Sequence, residues 1–195
     1  MFDLSVDPFQ HFSESLEQAK QRSEPEYNAM ALATVGADQR PAVRIVYYKG
    51  IVRGGLSFYC NYESAKARAI ESNNNVCVNF YYPTRWEQIR VTGVAAKLTR
   101  AESEAYFRTR ARLSQLGAWA SNQSQEIPDR EYFEKRVQHF ESVFAGQDVP
   151  CPENWGGYHI VPSEFEFWFG KNGRLHERYV YVKSVNGWRT LMRAP

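Results

Sequence analysis

The run FEFWFGKNGRLHERYVYV, residues 165–182, holds two segments rich in aromatic and β-branched residues on either side of Asn172-Gly173. Asn-Gly tolerates the left-handed backbone that a tight antiparallel connection needs, so the run reads as a hairpin of strands 165–169 and 175–182. Outward from it, residues 158–161 and 188–192 have the same texture. Farther back, the apolar runs 29–35 and 43–48 are broken by Gly36-Ala37-Asp38 and form a second hairpin. Gly50, Gly54 and Gly55 bracket a turn before a strand at 56–59, and strands 76–82 and 88–98 flank Pro83-Thr84.

Helices are inserted between these strands. Asp7-Pro8 opens one whose apolar face is Phe9, Phe12, Leu16 and Ala19. Ser64 caps a short helix over 64–71. Thr99 and Glu102 match a capping box that opens a helix through Phe107, and Pro128-Asp129 opens another with Phe133, Val137, Phe140 and Phe144 on one face. Strands do not alternate with helices, and no GxGxxG follows a strand, which argues against a doubly wound sheet. The expected fold class is mainly β with helices (α+β): a small barrel in a single domain, 1–195, with an N-terminal helical segment at 1–25.

Composition narrows the function classes. A length of 195 residues with 43% hydrophobic side chains is enough for one well-filled core. Aromatics at 15% fill a core or line a pocket for a flat ligand. A net charge of +2 is too small to argue for nucleic acid. Cys60, Cys77 and Cys151 form no CxxC, and residues 1–10 have neither a basic nor an apolar leader pattern. No run is long enough for a membrane span. The expectation is a cytoplasmic protein with no nucleic-acid or membrane partner. No HExxH, GxSxG or Walker loop occurs, so no metal is expected.

What remains is a set of basic residues in apolar surroundings. Arg44 is embedded in a predicted strand. Ser64-Ala65-Lys66 opens a helix, where free N–H groups favour a phosphate. Tyr106, Arg110 and Ser114 fall four apart, on one side of a helix if it continues, and suit a phosphate dianion. A solvated face explains each of these taken singly. Arg174, His176 and Arg178 alternate along the predicted strand 175–182 and its approach. Period two puts them on one sheet face, where their mutual repulsion points to an anionic or electron-rich ligand.

Together these residues resemble the pyridoxamine 5'-phosphate oxidase family, across about residues 7–195. The resemblance rests on RIVYYK (44–49), FYCN (58–61), TRARLSQLGAWASNQS (109–124), WGGY (155–158), EFWFG (166–170) and RLHER (174–178) in that order. It implies an FMN-binding split barrel, dimeric, with the flavin between two subunits and strands 155–195 completing the shared site. It implies FMN contacts from Arg44, Ile45, Val46, Tyr47, Tyr48, Lys49, Tyr59, Cys60, Lys66, Gln88, Gln123, Ser124, Trp168 and Arg178. It assigns Lys49, Tyr106, Arg110 and Ser114 to the substrate phosphate, and Arg174, Leu175 and His176 to the pyridine ring, with Arg174 and His176 in catalytic roles. The implied reaction is oxidation of pyridoxamine or pyridoxine 5'-phosphate to pyridoxal 5'-phosphate, with O2 as electron acceptor. The alternatives are a related flavin oxidase acting on another ring, as in the phenazine pathway, and a non-catalytic protein that stores or senses FMN or pyridoxal phosphate.

Two positions depart from the family pattern. Ala65 stands where an arginine is usual, and Cys60 where a threonine is usual. One missing charge-assisted contact, about 1.5–3 kcal/mol, corresponds to FMN binding about ten- to a hundredfold weaker unless another residue compensates.

Overall fold

The computed structural model describes residues 2–195. Asp7 accepts from the Phe9 N–H and caps helix α1, Pro8–Gln21, with Pro8 in its first turn. Strands β1, Ala29–Val35, and β2, Pro41–Tyr47, form the expected hairpin, with Leu32 opposite Arg44. A short β3, Ile51–Val52, precedes β4, Gly55–Asn61. Ser64 caps α2, Ala65–Ser72. Then come β5, Asn75–Tyr82, and β6, Glu87–Lys97. The capping box of Thr99 and Glu102 is formed at the start of α3, Arg100–Arg108.

Three details differ from the sequence reading. The α3 helix stops at Arg108, and a further helix α4, Arg112–Ala120, begins at Ala111 with no side-chain cap. That missing cap is why no sequence signal announced it. After α5, Arg130–Val143, the two strands expected at 158–161 and 165–169 are one long strand, β7, Trp155–Phe169. Its Pro162-Ser163 interruption is absorbed by a register shift against β6 at Thr92/Gly93. Gly93 is required there, because a Cβ would run into the Val161 carbonyl. Finally, the Asn172-Gly173 turn is present, with Gly173 at φ +65° and Arg174 at φ +62°, but β8 starts only at Glu177 (Glu177–Ser184). Arg174 and His176 therefore lie in the connection and do not share a strand face with Arg178.

With β9, Gly187–Met192, the strands form one nine-stranded antiparallel sheet. Its branch point is β7. It pairs with β6 along most of its length, with β4 over 155–160 and with β8 over 164–169. The sheet curls around Phe58, Phe80, Ile89, Val91, Phe165 and Phe167, all fully buried, and Phe12 of α1 closes the barrel against Phe80. Each such ring contributes about 1.5–3 kcal/mol on burial. A second cluster, Phe107, Leu116, Val149 and Trp155, fixes α3 and α4 on the outside of the β4/β7 edge.

Candidate active site

Two groups of the expected residues are brought together, in two places. The first is a cavity of about 560 Å³, within the range of ligand pockets. Strand β2 and the turn after it supply Ile45, Val46, Tyr47 and Lys49; β4 supplies Tyr59 and Cys60; α2 supplies Lys66. Tyr106 of α3, Arg110 of the break and Ser114 of α4 face the same space, together with Gln123. The helix does not continue from Tyr106 to Ser114, yet the break at 109–111 still aims all three side chains inward. Lys49 lies past the end of β2, its N–H donating to the Ser57 carbonyl at 2.9 Å. That resolves its opposite strand parity to Arg44.

Arg110 has the most telling surroundings. Its guanidinium lies over the Trp155 ring at 4.7 Å, and Nη1 is buried with no hydrogen-bond partner among the described residues. Burial pushes its pKa down, opposed by Tyr106 and Cys151. An arginine stays protonated even so, and an unpartnered buried N–H is costly. A bound anion would supply the missing acceptor. Behind it, Tyr106 stacks on Tyr59 at 3.9 Å, and Tyr59 on Trp155 at 5.5 Å. Burial lifts Tyr59 to about 12, with Tyr106 and Glu102 adding to it, so its hydroxyl stays protonated at neutral pH.

At the other end of the cavity, Lys66 donates to Gln123 Oε1 at 2.6 Å and to Ser64 Oγ at 3.2 Å. Burial lowers its pKa, and the nearby Arg44 lowers it further. Arg44 itself spends Nη1 on neutral oxygens, those of Leu32, Thr34 and Ala42. No ion pair to a described carboxylate involves Arg44, Lys49, Lys66 or Arg110. Cys60 lines the same cavity near Lys66, its thiol pushed up by burial and so neutral at pH 7. Lys49, Lys66 and Arg110 thus bring three cations to one cavity, with Arg44 close enough to Lys66 to lower its pKa.

The second group lies on the outer face of the sheet, away from this cavity. Gln88 of β6 is opposite Trp168 of β7, which is opposite Arg178 of β8, so the three form a row across adjacent strands. His176 tilts against Trp168 at 4.7 Å between centroids, and its Nδ1 accepts from the Lys171 N–H at 3.1 Å. Leu175 is 74% exposed. The mutual repulsion expected of Arg174, His176 and Arg178 is not what the structure contains. Arg178 is neutralised by Glu166, with Nη2 at 2.9 Å from Oε2. Of the remaining expected residues, Ser124 is exposed at φ +70°. The Tyr48 ring packs edge-on against Phe12 and Phe80, inside the barrel.

Sequence reasoning missed Trp155 and Glu166. Trp155 was visible only as part of WGGY, with no periodicity linking it to Arg110. Glu166 had a signal: a carboxylate two residues from Trp168 in a strand of aromatics, hence on the same face.

The chain is similar to known proteins over its whole length. Residues 16–144 match the family model of pyridoxamine 5'-phosphate oxidase, and residues 155–195 match that of the pyridoxine 5'-phosphate oxidase C-terminal dimerisation region. The pyridoxine/pyridoxamine 5'-phosphate oxidase of Bdellovibrio bacteriovorus is 52% identical over 196 residues, covering 100% of both chains. That of Coxiella burnetii is 42% identical, over 99% of this chain and 98% of its own. PhzG from Burkholderia lata 383, solved in complex with tetrahydrophenazine-1-carboxylic acid, superposes with a TM-score of 0.93 at 28% identity, covering 99% of this chain and 95% of that one. An FMN-binding protein from Nostoc punctiforme, related to pyridoxamine 5'-phosphate oxidase, shares the fold at a TM-score of 0.78, 19% identity, and 98% and 100% coverage. Fold, cavity and sequence agree that the chain belongs to the pyridoxamine 5'-phosphate oxidase family.

Proposed function

We propose that this protein oxidises pyridoxamine 5'-phosphate and pyridoxine 5'-phosphate to pyridoxal 5'-phosphate with FMN as cofactor, O2 as electron acceptor and a homodimer as the working unit, in the cytoplasm. The observation that carries the reading is Arg110: a half-buried guanidinium whose Nη1 is buried and unpartnered, in a cavity shared with Lys49, Tyr106 and Ser114. That set suits a phosphate dianion through charge-assisted hydrogen bonds. FMN, when bound, supplies the two-electron oxidation that side chains cannot. Arg44, Lys66 and Gln123 hold its phosphate end. Trp168, Gln88 and Arg178 are assigned to the ring, and Arg174, Leu175 and His176 to the substrate's pyridine. The chain's own part would be to hold both molecules in one site and to exclude water from it.

The two groups of residues lie apart within one chain, which supports a site shared between two copies. So does the apolar outer face of edge strand β2, where Val43, Ile45 and Tyr47 are 67%, 60% and 47% exposed. Residues 1–195 then act as one catalytic unit whose segment 155–195 completes the neighbour's site. No described helix is long and apolar enough to cross a membrane.

The test is aerobic turnover of pyridoxine 5'-phosphate by the purified yellow protein, with hydrogen peroxide formed in step with the aldehyde. Unphosphorylated pyridoxine should react far more slowly. Equal rates on both, or turnover of a dihydrophenazine carboxylic acid alone, would favour the other ring oxidase. A flavin-loaded protein without turnover of any of these is a store or sensor. Light scattering tests the dimer, and release of FMN and not FAD on denaturation tests the cofactor.

A further inference from the structure

The row that is assigned to the flavin ring ends on an arginine whose position is set by another residue. Glu166 stands two residues before Trp168 on the outer face of β7 and its side chain is 2% exposed. Three arginines converge on it. Arg90 Nη2 lies at 3.0 Å, Arg178 Nη2 at 2.9 Å and Arg193 Nη1 at 2.7 Å from Oε2. Glu164 accepts further bonds from Arg90 and Arg193 at 3.4 and 3.1 Å.

Arg178 is held differently from the other two. It reaches both carboxylate oxygens of Glu166, with Nε at 3.3 Å and Nη2 at 3.0 Å from Oε1. Its Nη1 donates to the Ala194 carbonyl at 2.9 Å, and the Arg193 N–H donates back to the Arg178 carbonyl at 3.0 Å. A guanidinium has five N–H donors in a rigid plane. Bonds to Glu166 and Ala194 use all but one edge of Nη1, so the plane can neither rotate nor withdraw.

We infer that Glu166 is a positioning residue for the flavin site: it locks the Arg178 guanidinium in one orientation beside Trp168 and leaves a single Nη1–H for the cofactor. Arg90 and Arg193 pack against the same carboxylate from its other sides, and the Arg193-Ala194 segment closes the cluster. The inference rests on the assignment of Arg178 to FMN. It adds that the affinity contributed by Arg178 depends on Glu166 and passes through no other residue.

The experiment is a double-mutant cycle read as FMN dissociation constants, from quenching of flavin fluorescence on apoprotein, with thermal unfolding of each variant alongside. Arg178→Ala should loosen FMN about tenfold, as expected for one lost charge-assisted bond. Glu166→Gln should loosen it by a similar factor in the native background and by less than about twofold in the Arg178→Ala background. Arg90→Gln, which removes a different arginine from the same carboxylate, should leave FMN affinity within about twofold. If Glu166→Gln does not fold, Glu166→Asp keeps the charge but draws the carboxylate back from Arg178, and gives the same contrast. Equal losses from the Glu166 change in both backgrounds would overturn the inference, since general loosening of the sheet or dimer acts that way. So would an Arg90→Gln loss as large as that of Glu166→Gln. No effect of Arg178→Ala alone would remove Arg178 from the flavin site, and the inference with it.

Discussion

The cavity and the C-terminal strands both gather cations, in opposite electrostatic states. Around the cavity, Lys66 and Arg44 are bonded only to neutral oxygens, and Arg110 has an orphaned N–H. On the outer sheet face, Arg90, Arg178 and Arg193 share Glu164 and Glu166. Half-buried cations without counter-charges are costly, so the first region favours an anion, as the proposed phosphates require. The second region is satisfied on its own, so it can be rigid before any ligand binds and can present aromatic and polar edges to an uncharged ring. One chain thus carries a half whose cations lack carboxylate partners and a half in which Arg90, Arg178 and Arg193 are all paired to carboxylates.

The contrast breaks most sharply at Arg110. Arg110→Ala should lower kcat/KM for pyridoxine 5'-phosphate by roughly 30-fold or more, because a buried charged partner is worth about 2–5 kcal/mol. FMN occupancy should stay unchanged. Normal kcat/KM, or lost flavin with no specific substrate defect, would take Arg110 out of the substrate site. The effect should shrink strongly with unphosphorylated pyridoxine, which has no anion for Arg110 to meet.

Lys66 tests the other end of the cavity. Lys66→Ala should weaken FMN about ten- to a hundredfold, the range for one charge-assisted contact. The pH dependence has a definite sign. Burial and Arg44 lower the Lys66 pKa from its ordinary 10.5. Its charge is present at low pH and is lost as pH rises through that lowered value. FMN affinity should therefore fall in alkaline solution, beginning below the ordinary lysine range, where the flavin phosphate is already a dianion. Lys66→Arg should abolish this fall. An affinity that is flat with pH in the native protein would place the phosphate elsewhere.

How much of this was legible in the sequence follows from the range of each signal. The caps at Asp7, Ser64, Thr99 and Asp129 are local hydrogen bonds, and all four form. The β1–β2 hairpin was equally plain, since a strand and its turn are written in adjacent residues. Helix α4 has no side-chain cap, so nothing local marked it. The continuity of β7 through Pro162 depends on a bulge at Ser163, which faces Thr92/Gly93 of β6, about seventy residues away in sequence. The basic residues of the cavity could be named one by one, but that Arg110 lacks a partner is a statement about everything packed near it. Arg178 erred in the other direction: it looked unpaired because its carboxylate is on a neighbouring strand.

A smaller effect separates the anion from its supporting stack. Trp155→Leu should keep the cavity lined but remove the ring under Arg110, which lies 4.7 Å away. A cation–π contact is worth about 0.5–2 kcal/mol, so kcat/KM should drop about tenfold, with FMN affinity little changed. An effect equal to that of Arg110→Ala would mean that Trp155 holds the arginine in place entirely; no effect would mean that the break at 109–111 does so alone.

The smallest expected change is at Ala65, and it asks whether the cavity is as anion-hungry as its unpaired cations imply. Ala65 is exposed at the first position of α2, directly after the cap Ser64 and before Lys66. An arginine there would extend toward the phosphate proposed to lie at Lys66. Exposure limits the gain, because solvated ion pairs contribute about 0.2–1 kcal/mol. A cation at a helix N-terminus also meets the unfavourable end of the dipole. Ala65→Arg should therefore tighten FMN only about two- to fivefold, with a stronger salt dependence than the native site. The gain should persist in Lys66→Ala, where the phosphate is short of one charge. Titration of the two apoproteins at low and high salt measures all of this. If the affinity is unchanged or weaker in both backgrounds, Arg44, Lys66 and the helix N–H groups already meet the phosphate's needs, and the absence of an arginine at position 65 has been compensated within the site.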